Sequence, residues 1–259
     1  MQEAGTYCDQ IEANLCYFYL RVAELNGMQI RPVRSPIYVN NPSGGWPSYI
    51  LGGIPPGDKA SIIGNITAKM SAGELPAFWI IREPPDPESF YALLAESGIR
   101  PAARWTGMML SPEEYMAAGP VEGRLRISRM SGEIQIIDWT RLINTEVFHR
   151  EAAEPGIFSS LLGVSDFRLY AGWMDGQMMS TALAFQHEGV WGLYLISTGS
   201  AFRKRGIGRA VASFAVEDIL SKNSARIVLH ATKSGESVYR KMGFRDYCHF
   251  DILWKLDKS

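Results

Sequence analysis

The sequence predicts a protein of the α/β class, α+β in type, built from mostly antiparallel strands flanked by helices and arranged in two similar halves. Apolar runs typical of strands alternate with segments whose apolar residues recur at helical spacing. Asp175-Gly176 lies between two apolar runs, 168–173 and 177–186, and predicts a β-hairpin. The order of predicted elements in residues 50–110 recurs in residues 198–255, which indicates a diverged internal repeat. The alternative is that two α/β segments share a coarse order of elements without being copies.

Elements of the N-terminal half follow from apolar spacing. A first helix is predicted by five apolar residues that share one face: Ile11, Leu15, Phe18, Tyr19 and Val22. A helix over 60–70, a strand over 77–81, a helix over 89–94 and an apolar strand over 105–110 follow in order. Pro112, Gly119, Pro120 and Gly123 then interrupt the periodicity. We therefore expect a domain of residues 1–122 and a second domain of residues 123–259.

The second domain is predicted to begin with strands over 124–130 and 132–137 and helices over 139–150 and 155–162. The Asp175-Gly176 hairpin and a strand over 190–197 come next. Val211, Phe214, Ala215 and Ile219 then recur at helical spacing, and a strand over 226–229 precedes a short helix that ends at Gly243-Phe244. The pattern again predicts a mostly antiparallel sheet flanked by helices.

Composition and charge exclude several classes of protein. The 259 residues are 46% hydrophobic and 20% charged, which is typical of a globular chain and argues against disorder. A net charge of −1 provides no field that would attract nucleic acid or an anionic membrane. No apolar run approaches the roughly 20 residues of a membrane helix, and the first residues lack a basic signal region. We expect a cytoplasmic protein whose oligomeric state, monomer or homodimer, the sequence leaves undetermined.

Three cysteines, Cys8, Cys16 and Cys248, lack the spacing of metal ligands and form no even framework of disulfides. They are expected to be unpaired thiols in a reducing compartment. No metal is predicted.

The most informative segment is the basic, glycine-bearing turn at 203–208, between a predicted strand and a predicted helix. The first N–H groups of a helix lack partners and carry positive potential, so they bind anions. Gly206 and Gly208 allow the backbone to approach a phosphate closely. The turn matches neither the dinucleotide fingerprint nor the P-loop. A pyrophosphate site is therefore predicted, with a surface turn of solvated basic residues as the alternative.

Two motifs in the second half carry a resemblance to a known family. Arg203-x-x-Gly206-x-Gly208 is followed by a helix, a strand and Tyr239-Arg240-Lys241-Met242-Gly243-Phe244. This order resembles the GCN5-related N-acetyltransferase (GNAT) family, which carries Arg/Gln-x-x-Gly-x-Gly/Ala and a C-terminal Tyr-x-x-x-Gly-Phe. The resemblance implies two tandem acyl-CoA N-acyltransferase-like domains, a kind of arrangement known in the family. It also implies transfer of an acetyl group from acetyl-CoA to an amine.

The resemblance implies specific roles for residues of this turn and its flanking elements. The pantetheine arm would lie along the strand at 194–198, and a backbone N–H near Leu195 or Ile196 would polarise the thioester carbonyl. Tyr239 would be the general acid for the departing thiolate, although an aromatic residue that merely packs in the core is the alternative. The implied coenzyme-binding residues are Leu195, Ile196, Ser197, Arg203, Lys204, Arg205, Gly206, Ile207, Gly208 and Arg209.

The general base and the acceptor stay open in the sequence. His187, Glu188 and His230 are weak candidates for the base, and a water chain or an amine that arrives neutral would serve equally well. Glu146 is a weak candidate for a contact with the substrate. An acceptor pocket could be lined by Trp139, Phe148, Trp173 and Trp191, although such aromatics usually build core. A coenzyme-binding sensor without turnover, or a structural protein, is the alternative function.

The N-terminal half is predicted to lack a coenzyme site of its own. Pro55, Asp58 and Ala60 stand where the second half has Arg203, Gly206 and Gly208, and Leu94 stands where it has Tyr239. A carboxylate at this turn repels a pyrophosphate, and the Cβ of alanine prevents close approach of the backbone.

Overall fold

The computed structural model of the chain describes residues 2–31, 36–55, 57–119, 121, 124–222 and 224–255. Its helices are α1 (Gln2–Leu25), α2 (Lys59–Ser71), α3 (Pro87–Glu96), α4 (Ile136–Ile143), α5 (Pro155–Ser159), α6 (Ile207–Leu220) and α7 (Glu236–Arg240). Its strands are β1 (Gln29–Arg31), β2 (Ile37–Asn40), β3 (Tyr49–Leu51), β4 (Phe78–Arg82), β5 (Ile99–Leu110), β6 (Arg126–Arg129), β7 (Phe167–Met174), β8 (Gln177–His187), β9 (Val190–Thr198), β10 (Ile227–Ala231) and β11 (Arg245–Lys255).

All of these strands belong to one continuous sheet, where the sequence predicted a sheet in each half. Its order is β1-β2-β3-β4-β11-β5-β10-β9-β8-β7-β6. Neighbours are antiparallel except β3 with β4 and β9 with β10, which are parallel. The sheet is thus mixed and mostly antiparallel, and it has one parallel pair in each half.

Strands of the two halves alternate at the centre of this sheet. β11, from the C-terminal end of the chain, lies between β4 and β5 and pairs antiparallel with both. β5, from the N-terminal half, lies between β11 and β10. The proposed boundary between residues 122 and 123 falls outside the described residues.

The core lies on both faces of the sheet. α1 packs on one face, and the five residues predicted to form its apolar side are 6% exposed or less. α4 and α5 join the same face, whereas α6 covers the other face over β8, β9 and β7. The Asp175-Gly176 turn joins β7 to β8 as predicted, and both of its residues have positive φ.

The predicted strand over 132–137 is wrong. A 3-10 turn, Glu133–Gln135, leads directly into α4, which buries Ile136, Trp139, Thr140 and Ile143 on one face. Ile134 is 86% exposed, whereas Ile136 is buried in the core as part of the apolar face of the helix. A π-helix, Asn144–Phe148, continues α4 and ends at His149 in the left-handed conformation.

The three cysteines are free thiols in the structure. No group of three or more histidine, cysteine or acidic side chains in the described residues is placed to hold a metal ion. Among those same residues, none of the helices has the length and apolar character needed to cross a membrane.

Candidate functional site

The site begins where β9 separates from β10. Parallel pairing of these strands runs from Trp191–Ile227 to Leu193–Leu229 and then stops, although β9 continues to Thr198. On its other edge β9 stays paired with β8, but the register shifts at the point where Leu195 has a φ of 48°. A positive φ is strained for leucine and marks a bulge. The gap and the bulge together leave backbone groups of β9 free for an added chain.

Two hydroxyls of β8 hold the carbonyls at this bulge. Thr181 donates to the carbonyl of Leu195 at 3.0 Å, and Ser180 donates to that of Ser197 at 2.5 Å. Both hydroxyl-bearing residues are fully buried. Neither residue was among the predicted site residues, although two adjacent polar residues inside an apolar strand indicate a local function for their hydroxyls.

The predicted glycine turn forms the N-terminus of α6. Gly206 is the N-cap with a φ of 78°, and no side chain caps the helix. A Cβ on Gly206 would meet nothing closer than 3.7 Å, so the space over this backbone is open. The first N–H groups of α6 are therefore available to an anion. α2, which follows β3 and precedes β4 in the N-terminal half, is instead capped by Asp58, whose carboxylate accepts from the Ser61 N–H at 3.2 Å.

The four basic residues of the turn divide into two kinds. The Arg203 guanidinium donates to Glu146 at 2.5 Å and to the Thr198 carbonyl at 3.2 Å, so it holds the loop. Arg209 donates to the carbonyls of Ala117 and Lys241 and ties α6 to its neighbours. Lys204 and Arg205 lie exposed beside the helix terminus, with no acidic partner among the described residues. They remain to attract an anion.

Glu146 is a structural partner of this loop rather than a free side chain. It lies in the π-helix, and its side chain is 7% exposed. One carboxylate oxygen accepts from Arg203 and the other from the Ser200 N–H at 2.8 Å.

Tyr239 lies on α7 and packs against the core cluster of the α6 face. Its ring meets Phe244 edge to face at 5.9 Å between centroids. Its hydroxyl has no hydrogen-bond partner among the described residues, and burial raises the pKa of this phenol. The group is therefore protonated at neutral pH and has a proton to donate.

The candidate bases lie in different parts of the molecule. His187 and Glu188 lie at the opposite end of β9 from the bulge; His187 stacks on Tyr17 and Glu188 is exposed. His230 follows the last residue of β10 that pairs with β9, and both of its ring nitrogens are buried without a partner in the described part of the chain. Only His230 adjoins the gap.

The four aromatics considered for an acceptor pocket do not come together. Trp139 and Trp173 are buried in the core on the α1 face, and Phe148 packs there beside Trp46. Trp191 is buried on the other face, under the Arg168 guanidinium at 4.2 Å. They build the core.

Comparisons with known proteins concern the fold and the family of the C-terminal half. Residues 137–248 match the family model described as an acetyltransferase (GNAT) domain. No curated protein matches the sequence. A GCN5-related N-acetyltransferase from Kribbella flavida superposes with a TM-score of 0.72 at 15% identity, over 96% of this chain and 95% of that one. A conserved protein of unknown function from Staphylococcus epidermidis superposes with a TM-score of 0.64 at 12% identity, over 88% of this chain and 94% of that one.

A third structure is part of a larger enzyme. The glucosamine N-acetyltransferase region of a fungal multi-domain GH3 β-N-acetylglucosaminidase superposes with a TM-score of 0.60 at 9% identity. The match covers 87% of this chain and 30% of that chain. The fold of this protein is thus that of GNAT proteins over nearly its whole length, and its C-terminal half contains the segment that matches the family model.

Proposed function

We propose that this protein is an acyl-CoA-dependent N-acetyltransferase that moves the acetyl group of acetyl-CoA to an amine of a small acceptor. The observation that carries the proposal is the separation of β9 from β10 after Leu193, next to the bulge at Leu195 and the uncapped terminus of α6. Open strand edge, bulge and anion site lie in succession along one chain segment. They suit a long coenzyme with a pyrophosphate at one end.

The residues present fit acetyl-CoA as a substrate. The first N–H groups of α6, with Lys204 and Arg205 beside them, would hold the pyrophosphate. The free edge of β9 at 195–197 would bind the pantetheine amides as an added strand, and an N–H at the bulge would face the thioester carbonyl. Arg203 and Arg209 would act indirectly, because each is already bonded to protein groups that shape the loop. Bound acetyl-CoA supplies an activated acetyl group and a thiolate leaving group.

Tyr239 is the proposed proton donor to that thiolate. The phenol lies on the α6 face of the sheet and is kept protonated by burial. A protonated group positioned near the leaving sulfur lowers the barrier to thiolate departure.

We further propose that the chain consists of two tandem GNAT-like domains, 1–122 and 123–259, of which only the second binds coenzyme. Both halves have the order β-α-β-α-β, namely β3-α2-β4-α3-β5 and β9-α6-β10-α7-β11. Two reciprocal hydrogen bonds support the proposal: Glu236 of α7 accepts from Thr106 of β5, and Tyr91 of α3 donates to Asp251 of β11. The two bonds also occupy matching positions relative to Gly98 of the first half and Gly243 of the second. Each helix residue precedes the glycine of its own half by seven positions, and each strand residue follows the glycine of its own half by eight.

Calorimetric titration with acetyl-CoA tests the proposed function. We expect one site per chain, lost in the variant Gly206→Glu, because this change puts bulk and negative charge at the anion site. Gly163→Glu is the matched control: Gly163 has a φ of 77° with open space around it and lies outside the site, so the backbone strain is similar. Equal binding by wild type and Gly206→Glu would refute the site. Binding without thiol release for any amine would favour a sensor.

A further inference from the structure

His230 is a half-buried side chain whose two ring nitrogens the fold buries and leaves unused beside the proposed site. Both ring nitrogens are buried, and neither has a hydrogen-bond partner among the described residues. Buried polar groups in folded proteins nearly always have a partner, and leaving one without is costly. Two buried ring nitrogens that no protein group satisfies are therefore suited to bond a ligand that enters beside them.

The position of His230 relates it to the reacting centre. It directly follows Leu229, the last residue of β10 that pairs with β9, so it stands at the mouth of the gap between these strands. Its ring lies on the α1 face, where Tyr194 of β9 faces it at 6.2 Å between centroids. Tyr239 packs on the opposite face. A coenzyme threaded through the gap would therefore have its proton donor on one side and His230 on the other.

The surroundings of His230 are aromatic and uncharged. Phe250 of β11 meets its ring edge to face at 4.7 Å and Trp105 of β5 at 6.3 Å. The Tyr194 hydroxyl is already used, because it donates to the Asn14 side chain at 2.6 Å. Burial lowers the pKa of His230 to about 3, and no nearby carboxylate counteracts it. The imidazole is therefore neutral, with one N–H donor and one acceptor nitrogen.

We propose that His230 hydrogen-bonds the acceptor's nucleophilic nitrogen and that the acceptor is a weakly basic amine of the arylamine class, which enters uncharged. This inference rests on the proposed acetyltransferase function and specifies its acceptor.

The uncharged surroundings of His230 select the amine. An alkylammonium ion would have to leave water for a position where no carboxylate acts on His230, and the desolvation of an unpaired cation is expensive. It would then still have to lose a proton before it could attack. A neutral arylamine would donate one N–H to His230, keep its lone pair for the thioester carbon and pack its ring against Trp105 and Phe250. As the C–N bond forms the C–S bond breaks, the departing thiolate takes the proton of Tyr239, and the proton lost by the acceptor nitrogen passes to water, which reprotonates the tyrosine.

Kinetics with two acceptors of similar size test the proposal: aniline, neutral at neutral pH, and benzylamine, protonated there. Thiol release is measured for wild type, His230→Phe and His187→Phe. His187 is the control, because it too has a buried unpartnered ring nitrogen but lies at the other end of β9. We expect wild type to prefer aniline, and His230→Phe to lower kcat/KM for aniline by about 10-fold to 100-fold, the usual effect of losing a buried hydrogen bond. His187→Phe should leave it unchanged.

Binding measurements distinguish failure of the acceptor proposal from failure of the proposed acetyltransferase function. Calorimetry with acetyl-CoA should give the same affinity for wild type and His230→Phe, and aniline should bind the wild-type complex with non-reactive desulfo-CoA more tightly than the variant complex. The proposal is overturned if benzylamine is preferred, if aniline neither binds nor reacts, or if His230→Phe loses coenzyme affinity in parallel. Absence of coenzyme binding by wild type would instead refute the proposed function itself.

Discussion

At the scale of single residues, the proposed chemistry requires that Tyr239 is protonated and that its hydroxyl is free of protein partners. Its phenol has no hydrogen-bond partner in the described part of the chain, and burial raises its pKa above the ordinary value. Because the pKa is raised, the donor form is kept throughout the neutral and mildly alkaline range. The same burial disfavours the phenolate that would remain after donation, so rapid reprotonation from solvent must follow.

Tyr239→Phe should therefore lower kcat by about 100-fold or more, the range typical of a lost general acid. Coenzyme affinity should be unchanged, because no contact of the hydroxyl holds the fold. Thiol release and calorimetry measure the two quantities. Tyr115→Phe is the control: burial raises the pKa of Tyr115 as well, but its hydroxyl is bonded to Ser213 and Glu217 on α6. An unaltered kcat in Tyr239→Phe would mean that water or another group protonates the thiolate.

Residue identities predicted the turn correctly as a local structure but not the partners of its charges. Coenzyme binding by Arg203 stays a prediction, and the structure adds that its guanidinium is bound to Glu146 and the Thr198 carbonyl. Nothing local predicts this pairing, because Glu146 belongs to a different helix and reaches the loop only after α4 has packed on the sheet. The sequence likewise does not predict that the His230 ring nitrogens lack a protein partner, since this depends on where β9 and β10 stop pairing.

At the scale of elements, the first N–H groups of α2 and of α6 are satisfied in different ways. α2 satisfies its first N–H groups with the Asp58 carboxylate, whereas α6 begins at Gly206 without a side-chain cap. A side chain on α2 thus occupies the position that an anion would take on α6.

Asp58→Ala should lower the free energy of unfolding by about 1 kcal/mol, as expected when an N-cap is removed. Coenzyme affinity should stay within a few fold of wild type, since α2 contributes no coenzyme contact in the proposed site. Urea denaturation and calorimetry give the two values. Asp58→Asn keeps a capping oxygen and serves as the control. A large loss of affinity in either variant would show that the N-terminal half takes part in binding coenzyme.

Most elements could be predicted because their apolar spacing is regular over a full turn or more. The helical face of α1 and the β7–β8 hairpin are examples, and both are observed. The prediction of a strand over 132–137 was wrong because a few apolar residues in so short a segment fit a strand and the start of a helix equally well. The helix is favoured because it buries Ile136 with Trp139 and Ile143, and this burial depends on how α4 packs on the sheet.

At the scale of the whole molecule, the halves are interleaved rather than merely joined. β11 is inserted between β4 and β5, and β5 separates β11 from β10. Asp251 of β11 is 2% exposed and forms two hydrogen bonds of 2.8 Å with Arg104 of β5. The sequence predicted a repeat but could not predict this insertion of strands from one half between strands of the other, because a strand carries no local signal of which half supplies its neighbour.

Interleaving predicts that neither half is stable alone. A fragment of residues 121–259 would leave the β5-facing edge of β10 unpaired and would remove both strands that flank β11. The free energy lost with these strand pairings and with the core face they cover exceeds the stability typical of a domain.

We expect this fragment and its complement, residues 1–120, to lack cooperative thermal unfolding when separate. Produced together they should associate and recover the one coenzyme site of the intact chain. Calorimetry and circular dichroism decide the question. Cooperative unfolding and full coenzyme affinity of the isolated C-terminal fragment would show that each half completes its own sheet, in conflict with the strand order observed.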